Sequence, residues 1–366
     1  MSTSRQRSVL ITGCSQNGLG YALAVAFHHA GLRVFATARD PARMAGLEDL
    51  GIECLRLDVC DEESVRACVA QVSQSTKRSG EGEGILDCLV NNAGGGCQRY
   101  SQQMRWRAVS QKVMRSHWHL RTVVHQGQTL EEAGTQNGHM SESNTNTVFQ
   151  IYKGYNMPIS DISVPEAKEL FELNVWSYIS VTQAFLPLLL HAARSSSPSS
   201  SSSSPNYGSP SLIVNNTSVS SVEPTPHNSV YHASKAAAAM FSTHMRIELE
   251  PFNVRVVDLK TGCVHSKFHA NHQGGEANLP STSIYMPVKD QTESAMRNAF
   301  PHREDPEKWA RDVVGDIVSN WDRPPREIWR GTGAWRTWFS NTFFPVGWWD
   351  ASWRKAVGLD RLEGRL

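Results

Sequence analysis

A glycine-rich turn near the amino terminus constrains the fold of this 366-residue chain more than any other feature. The turn, at residues 12–20, follows a short apolar run, Ser8–Thr12, that is typical of a buried strand. Apolar residues with helical spacing follow from 20 to 30. Glycines here let the backbone approach a pyrophosphate, and the helix amino terminus offers amide groups. The motif predicts a dinucleotide-binding unit, although a tight glycine turn that binds no ligand would show the same sequence pattern.

Strand and helix patterns alternate along the rest of the chain. Further strands are predicted at 32–38, 53–57, 85–90, 212–215 and 254–259, and further helices at 65–72, 165–193 and 231–250. Strands that alternate with helices pair in parallel and are covered on both faces. The sequence therefore predicts an α/β fold with a doubly wound parallel sheet of the Rossmann type.

Two polar segments interrupt this pattern. Residues 97–152 lack a sustained period and are basic in their first half, and residues 195–210 contain a serine tract. Such segments bury little apolar surface, so we interpret both as disordered inserts. The predicted organisation is one catalytic domain at 8–300 that carries the inserts, followed by a helical, Trp-rich extension at 301–366.

Bulk properties narrow the partners and the compartment. The formal net charge of +1 gives no electrostatic reason to expect nucleic acid as a partner. The seven cysteines include no Cys-x-x-Cys pair, and no secretory signal pattern is evident, so we expect reduced thiols in a cytoplasmic protein. The sequence contains no uninterrupted apolar stretch of about 20 residues, so a membrane-spanning helix is not expected.

The second predicted strand indicates which dinucleotide is bound. An acidic residue at its end would bind a ribose hydroxyl, whereas this strand ends with Thr37 and Arg39. A hydroxyl and a guanidinium suit a 2′-phosphate, so we expect NADPH, with Arg43 assisting. Arg39 as a solvated loop residue is the alternative. Asp58, after the third strand, is expected either to hold the adenine amino group or to cap the next helix.

Tyr231 and Lys235 form the candidate catalytic pair. Their spacing of four residues places both side chains on one face of a helix. An ammonium beside a phenol is expected to lower the pKa of the tyrosine, which makes it a usable acid and base. Tyr-x-x-x-Lys pairs are common on helix surfaces, so Ser218, which follows the strand at 212–215, adds the necessary context.

These residues converge because strands of a doubly wound sheet bind ligands at their carboxyl ends. Six predicted strands are followed there by a candidate residue, namely Gly13, Arg39, Asp58, Asn91, Ser218 and Gly262. The chain resembles the short-chain dehydrogenase/reductase family in a set of matching residues: the glycine turn at 12–20, Asn-Asn-Ala-Gly at 91–94, Asn174, Ser218, Tyr231, Lys235 and Thr-Gly-Cys-Val at 261–264. The resemblance covers residues 8–270 apart from the inserts.

The resemblance implies a role for each matching residue. Ser218 would polarise a substrate carbonyl, Tyr231 would protonate it, Lys235 would also hold the nicotinamide ribose, and Asn174 would help to bind a water that links Lys235 to solvent. The remaining cofactor positions are Gly13, Ser15, Gly18, Leu19, Gly20, Asn91, Ala93, Gly94, Val264 and Ser266. The chain departs from the family at Thr261, where a proline is usual, and in the four residues between Gly13 and Gly18, where three are usual.

Within the family, three features most resemble the fungal NADPH-dependent 1-acyldihydroxyacetone-phosphate reductases: the Thr-Gly-Cys-Ser turn, residues 155–158 and the Trp-rich end. A tailoring ketoreductase of fungal secondary metabolism and a catalytically impaired protein of the same fold are the alternatives. In those reductases a sequence like 154–158 follows the Asn-Asn-Ala-Gly turn almost directly. We therefore hypothesise that residues 97 to about 152 include a translated, unspliced intron.

The carboxyl-terminal third suggests how substrate and partners are bound. Residues 264–300 are expected to form an apolar substrate lid for a hydrophobic carbonyl compound, and the spacing of His265, His269 and His272 is not expected to create a metal site. Eight of eleven tryptophans follow residue 308, beside basic residues, which is typical of membrane interfaces. Attachment to the endoplasmic reticulum or to lipid droplets is one interpretation; tryptophans that cover the pocket or a dimer partner are an equal alternative. The family also suggests a homodimer through the helices that begin near Pro165 and Tyr231.

Overall fold

A computed structural model describes residues 5–77, 83–95, 156–195, 208–266, 278–298 and 302–362. Nearly all of both predicted inserts, including the segment assigned to a retained intron, lies outside the described residues. In chain order the strands are β1 (Ser8–Thr12), β2 (Arg33–Ala38), β3 (Glu53–Arg56), β4 (Cys88–Asn91), β5 (Ser211–Asn216), β6 (Val254–Thr261) and β7 (Glu327–Arg330). The helices are α1 (Leu19–His29), α2 (Glu62–Thr76), α3 (Val164–Phe171), α4 (Ser177–Ser195), α5 (Ser229–Leu249), α6 (Lys289–Asn298), α7 (Pro306–Ser319), α8 (Ala334–Phe343) and α9 (Asp350–Ala356).

The seven strands of the described residues join one parallel sheet with the order β3-β2-β1-β4-β5-β6-β7. Successive residues of a strand point to opposite faces, so the buried strand β1 supplies both cores. Val9 and Ile11 pack with α1 and α7 on one face, whereas Leu10 packs with α2 and α4 on the other. The strand order reverses between β1 and β4, which creates a crevice at the carboxyl ends of these strands. The predicted doubly wound fold is confirmed.

The boundary predicted at residue 301 does not match this architecture. Strand β7 extends the sheet beside β6, and α7 packs against α1 with Trp309 and Ile317 in the core. Trp321 is also buried, and its indole donates a hydrogen bond to the Pro210 carbonyl at 2.9 Å. Two of the eight late tryptophans are therefore core residues, and the sheet needs this segment to be complete.

The helix predicted at 165–193 is two helices joined by one wide turn. Residues Glu172–Trp176 adopt a π-helix between α3 and α4. By length and apolar composition, Val164–Arg194 could cross a membrane, but half of its most apolar window is buried. In the fold α4 packs on β4 and β5 through Phe185 and Leu189, and core helices of this kind meet the same criterion.

Candidate active site

The glycine turn packs tightly against the loop after β4. Gly13 has φ +76°, and a Cβ there would lie 2.9 Å from the Ala93 Cα. A Cβ on Gly20 would lie 2.5 Å from the Gly13 carbonyl oxygen. Larger residues at either position would push the turn away from the sheet. The glycines thus shape a cradle at the amino terminus of α1, which suits a pyrophosphate.

The extra residue in this turn is accommodated by one unusual backbone conformation. Asn17 has φ 62°, in the left-handed region that asparagine tolerates better than most residues. Ser15 and Leu19 lie on either side of it, and the Gly18 amide donates to the Ser15 carbonyl at 3.0 Å. The residue that caps α1 is Gly18, which makes no side-chain capping bond. Because glycine has no side chain, no side-chain cap binds the first amides of α1.

At the end of β2 the structure keeps one cofactor candidate buried and the others exposed. Thr37 is fully buried, and its hydroxyl donates to the Ile11 carbonyl at 2.9 Å. The prediction that Thr37 binds a 2′-phosphate is therefore wrong, because its side chain faces the sheet interior. Arg39 and Arg43 are exposed, and the Arg43 carbonyl accepts a hydrogen bond from the Gln16 amide at 2.7 Å. The backbone of Arg43 therefore lies beside the glycine turn.

The side chains of Asp58 and Asn91 lie in different environments. The helix α2 is capped by Asp61, so the capping alternative for Asp58 is wrong. Asp58 is half-buried at the end of β3 and accepts the Cys60 amide at 3.1 Å. The Asn91 side chain is buried and donates to Asn215 at 2.8 Å and to Thr182 at 3.0 Å. Its amide therefore holds β4 to β5.

The other cofactor positions lie along the same edge. Ala93 and Gly94 follow β4, and the Ala93 amide donates to the Thr12 hydroxyl at 2.8 Å. The side chain of Val264 is buried in the core, so its backbone alone could meet a ligand. Ser266 is half-buried at the end of the described segment. His269 and His272 lie outside the described residues, where the expectation about metal is untested.

Ser218 and Tyr231 contact each other at the carboxyl end of β5. Ser218 begins a short 3-10 turn, where its hydroxyl accepts the Ser220 amide at 3.1 Å. A side-chain hydrogen bond from Ser218 lowers the pKa of Tyr231, although burial raises that pKa more, to about 12. The pKa of Tyr231 is therefore raised in this structure, whereas the sequence predicted that it would be lowered. The prediction was wrong here because it took no account of the desolvation of a buried phenol.

Lys235 lies on the same helix face as Tyr231, as predicted. Its Nζ is 6.0 Å from the centroid of the Tyr231 ring and donates to the Asn216 carbonyl at 3.0 Å. Burial lowers the pKa of Lys235 to about 8, while the carboxylate of Asp258 acts in the opposite direction. The side chain is therefore mainly an ammonium at neutral pH.

Asn174 lies at the centre of the π turn. Its side-chain amide donates to the Gly95 carbonyl at 3.1 Å and to the Ser234 hydroxyl at 3.0 Å, and its oxygen accepts the Gly95 amide at 3.1 Å. A Cβ on Gly94 would lie 3.2 Å from the Asn174 oxygen and 3.4 Å from Lys235 Nζ. The structure thus brings all four predicted catalytic residues to one end of the crevice.

Two residues of this site were not identified from the sequence. Tyr178, one helical turn after Asn174, donates its hydroxyl to the Asn216 carbonyl at 2.9 Å and lies 3.5 Å from Lys235 Nζ. The Asn216 side chain accepts a hydrogen bond at 2.6 Å from the hydroxyl of Thr261, the residue that stands in place of the usual proline. The spacing of Tyr178 from Asn174 was the available signal, because both lie on the same face of one helix.

An apolar wall lies beside the catalytic helix. His227, four residues before Tyr231, has φ 67° and contacts the Tyr285 ring edge-on at 5.6 Å between centroids. Tyr285 packs in turn against Met157, Leu279 and Met296. The wall therefore joins the predicted lid segment to the loop that precedes Tyr231.

Comparisons with known proteins agree with this geometry. A short-chain dehydrogenase/reductase of Pestalotiopsis microspora is 35% identical over 370 residues, which is 99% of this chain and 98% of that protein. The NADPH-dependent 1-acyldihydroxyacetone phosphate reductase of Schizosaccharomyces pombe is 30% identical over 286 residues, or 78% of this chain and 69% of that protein. A solved short-chain dehydrogenase from Streptomyces avermitilis has a TM-score of 0.58 at 20% identity over 98% of each chain, which supports the fold.

The family model for short-chain dehydrogenases matches residues 7–126 and 153–277. The match spans more than half of the chain and includes every residue that forms the catalytic cluster. The chain therefore belongs to the short-chain dehydrogenase family.

Proposed function

We propose that this oxidoreductase reduces the ketone of a hydrophobic substrate to an alcohol, with NADPH as the electron donor. The observation that carries the proposal is the cluster of Asn174, Ser218, Tyr231 and Lys235 at the crevice that the glycine turn opens. The cradle at Gly13 and the exposed guanidinium groups of Arg39 and Arg43 support a phosphorylated dinucleotide there.

A residue of the protein itself donates the proton. When bound in the crevice, a reduced nicotinamide would supply the hydride for the carbonyl carbon. The Tyr231 hydroxyl gives its proton to the carbonyl oxygen, and Ser218 stabilises the oxygen as negative charge develops. A tyrosine with a raised pKa is fully protonated at neutral pH, so it enters the reaction as an acid.

Lys235 and Asn174 then restore the starting state. The ammonium of Lys235 lies close enough to stabilise the phenolate that Tyr231 becomes. Asn174, Gly95 and Lys235 line a polar region through which a proton from solvent reaches the phenolate. A ketone, one hydride and one proton make the secondary alcohol.

The apolar wall formed by Met157, Leu279, Tyr285 and Met296 supports a hydrophobic substrate. The similarity to a reductase that is named for 1-acyldihydroxyacetone phosphate supports the same class, and we propose an acylated ketone of that kind as the first candidate.

The test is NADPH oxidation by the full chain with a panel of 1-acyldihydroxyacetone phosphate, neutral aliphatic ketones and aromatic ketones. Tyr231→Phe is expected to lower kcat by roughly a thousandfold, because a positioned general acid contributes about that much. NADPH binding, followed by fluorescence, is expected to remain. Turnover of the aromatic ketones alone would favour a tailoring ketoreductase.

A matched control is Tyr21→Phe, which removes a hydroxyl that contacts the Ala45 carbonyl at 3.4 Å, away from the catalytic cluster. This variant is expected to keep wild-type turnover. Retained turnover in Tyr231→Phe would contradict the mechanism, and a wild-type chain that binds no NADPH would identify a catalytically impaired protein.

A further inference from the structure

The helix α8 has a buried small-residue face and an exposed aromatic face. Ala334, Thr337 and Ser340 are buried against the protein. Positions between them point outward, as expected for a surface helix with 3.6 residues per turn. A continuous set of large side chains occupies that face and the loop after it; we call it the aromatic surface. Its members are all exposed to solvent: Trp335, Trp338, Phe339, Phe343, Phe344, Val346 and Trp348.

The rings of the aromatic surface contact one another while remaining open to solvent. Phe339 stacks on Trp335 at 5.5 Å between centroids and packs against Phe343 at 4.9 Å, and Phe344 stacks on Trp348 at 4.2 Å. Trp335 is 69% exposed, and Val346 is fully exposed. A contiguous apolar patch of this kind on a folded protein marks an interaction surface.

Basic residues accompany the aromatic surface. The guanidinium of Arg336 lies over the Trp349 ring at 5.2 Å, and Arg354 and Lys355 lie in the last turn of α9. Residues 331–362 carry four basic and two acidic side chains. Tryptophan and phenylalanine beside cations are characteristic of the headgroup layer of a bilayer, where indole NH groups remain hydrated and cations meet lipid phosphates.

The aromatic surface is fixed to the catalytic end of the sheet. Thr337 donates a hydrogen bond to the carboxylate of Glu223, which follows the Ser218 turn. The segment before α8 is held by the Gly262 amide, which donates to the Arg330 carbonyl at 2.7 Å. A surface that bound lipid through α8 would therefore hold the catalytic loop close to the membrane.

We propose that the aromatic surface binds the interface of a phospholipid bilayer, with a preference for anionic lipids. The composition favours a lipid surface over a second protein copy, since aromatic rings and flanking cations complement both layers of the headgroup region. The inference is independent of the substrate, because it rests on α8, α9 and the loop between them.

The experiment is flotation of the full chain with vesicles of phosphatidylcholine, alone or mixed with phosphatidylserine, in the absence of NADPH and ketone. The variant Trp335→Ser/Phe343→Ser/Val346→Ser is expected to lower the vesicle partition constant roughly 100-fold, since each apolar side chain that leaves water contributes severalfold or more. Neutralising Arg336 and Arg354 to Gln is expected to remove the preference for phosphatidylserine while leaving weaker binding to phosphatidylcholine.

A matched control removes two exposed apolar side chains elsewhere, with Leu50→Ser/Phe252→Ser, and is expected to float as the wild type does. Circular dichroism and NADPH binding establish that each variant is folded. Wild-type protein that stays with the unbound fraction on both vesicle types overturns the proposal. The proposal is also overturned if the triple variant floats as the wild type does. It is overturned as well if light scattering shows that the three substitutions only convert a dimer to a monomer.

Discussion

Replacing Lys260 by methionine tests whether a buried ion pair supports the catalytic loop. Lys260 Nζ lies 2.7 Å from the Asp258 carboxylate, and their side chains are only 4% and 7% exposed. The same ammonium donates to the Ser221 hydroxyl at 3.0 Å, and Ser221 donates in turn to the Ser218 carbonyl at 2.6 Å. Methionine keeps most of the apolar stem and removes the charge.

The expected loss follows from what remains around Asp258. Removing one partner of a buried ion pair costs about 3–5 kcal/mol, because the other charge is left without compensation. Asp258 keeps the hydrogen bond from the Thr217 hydroxyl and its electrostatic interaction with Lys235, so we expect the lower end, about 3 kcal/mol. In Asp258→Asn/Lys260→Met neither charge of this pair is left, and stability is expected to return to within about 1 kcal/mol of the wild type.

Urea unfolding followed by far-ultraviolet circular dichroism measures both values. Lys308→Met is the control, because Lys308 pairs with Glu304 and Asp312 at the surface, where such pairs contribute little. Its midpoint is expected to stay near the wild-type value. A Lys260→Met midpoint equal to that of the control, or a double variant as unstable as Lys260→Met alone, would refute the reasoning.

Three further outcomes follow from the site and its helices. Changing Arg39 and Arg43 to Gln is expected to raise the Kd for NADPH at least tenfold and to leave the Kd for NADH unchanged, since each charged hydrogen bond contributes about 1.5–3 kcal/mol; equal effects on both dinucleotides would contradict this. Tyr178→Phe is expected to lower kcat about tenfold. Because the variant removes an oxygen that favours the ammonium of Lys235, whose pKa is about 8, the alkaline limb of the kcat profile is expected to move to lower pH. Ile247→Glu, at an exposed position on α5, is expected to halve the mass found by light scattering if the chain pairs through its long helices; an unchanged mass would count against that dimer.

Residues whose role depends on strand ends were predictable from the sequence. Gly13, Ser218, Tyr231 and Lys235 follow strands or share a helix face, and spacing alone places them at one edge of a parallel sheet. Strand β7 was missed because its four residues, Glu327–Arg330, carry two charges and one of the tryptophans that suggested a separate extension.

Side-chain orientation and desolvation could not be predicted in the same way. Thr37 and Asn91 occupy positions at strand ends where either face is compatible with the pattern, and tertiary packing turns both inward. The pKa of Tyr231 depends on how completely the phenol is buried, and sequence spacing gives only its distance along the helix from Lys235. The apolar wall also joins segments distant in sequence, such as Met157 and Leu279.

The wide turn at Glu172–Trp176 makes the chain length between α3 and α4 a functional quantity. A π turn contains one residue more than a regular α-helix would need, and each residue of an α-helix advances the chain by about 100°. Deleting a single residue such as Glu172 would let the two helices merge into one, and the amide of Asn174 would rotate out of the crevice or α3 would swing around the axis of α4. An insertion elsewhere in the same helix could not compensate, so evolution of this enzyme can vary the residues of that turn other than Asn174 more freely than their number.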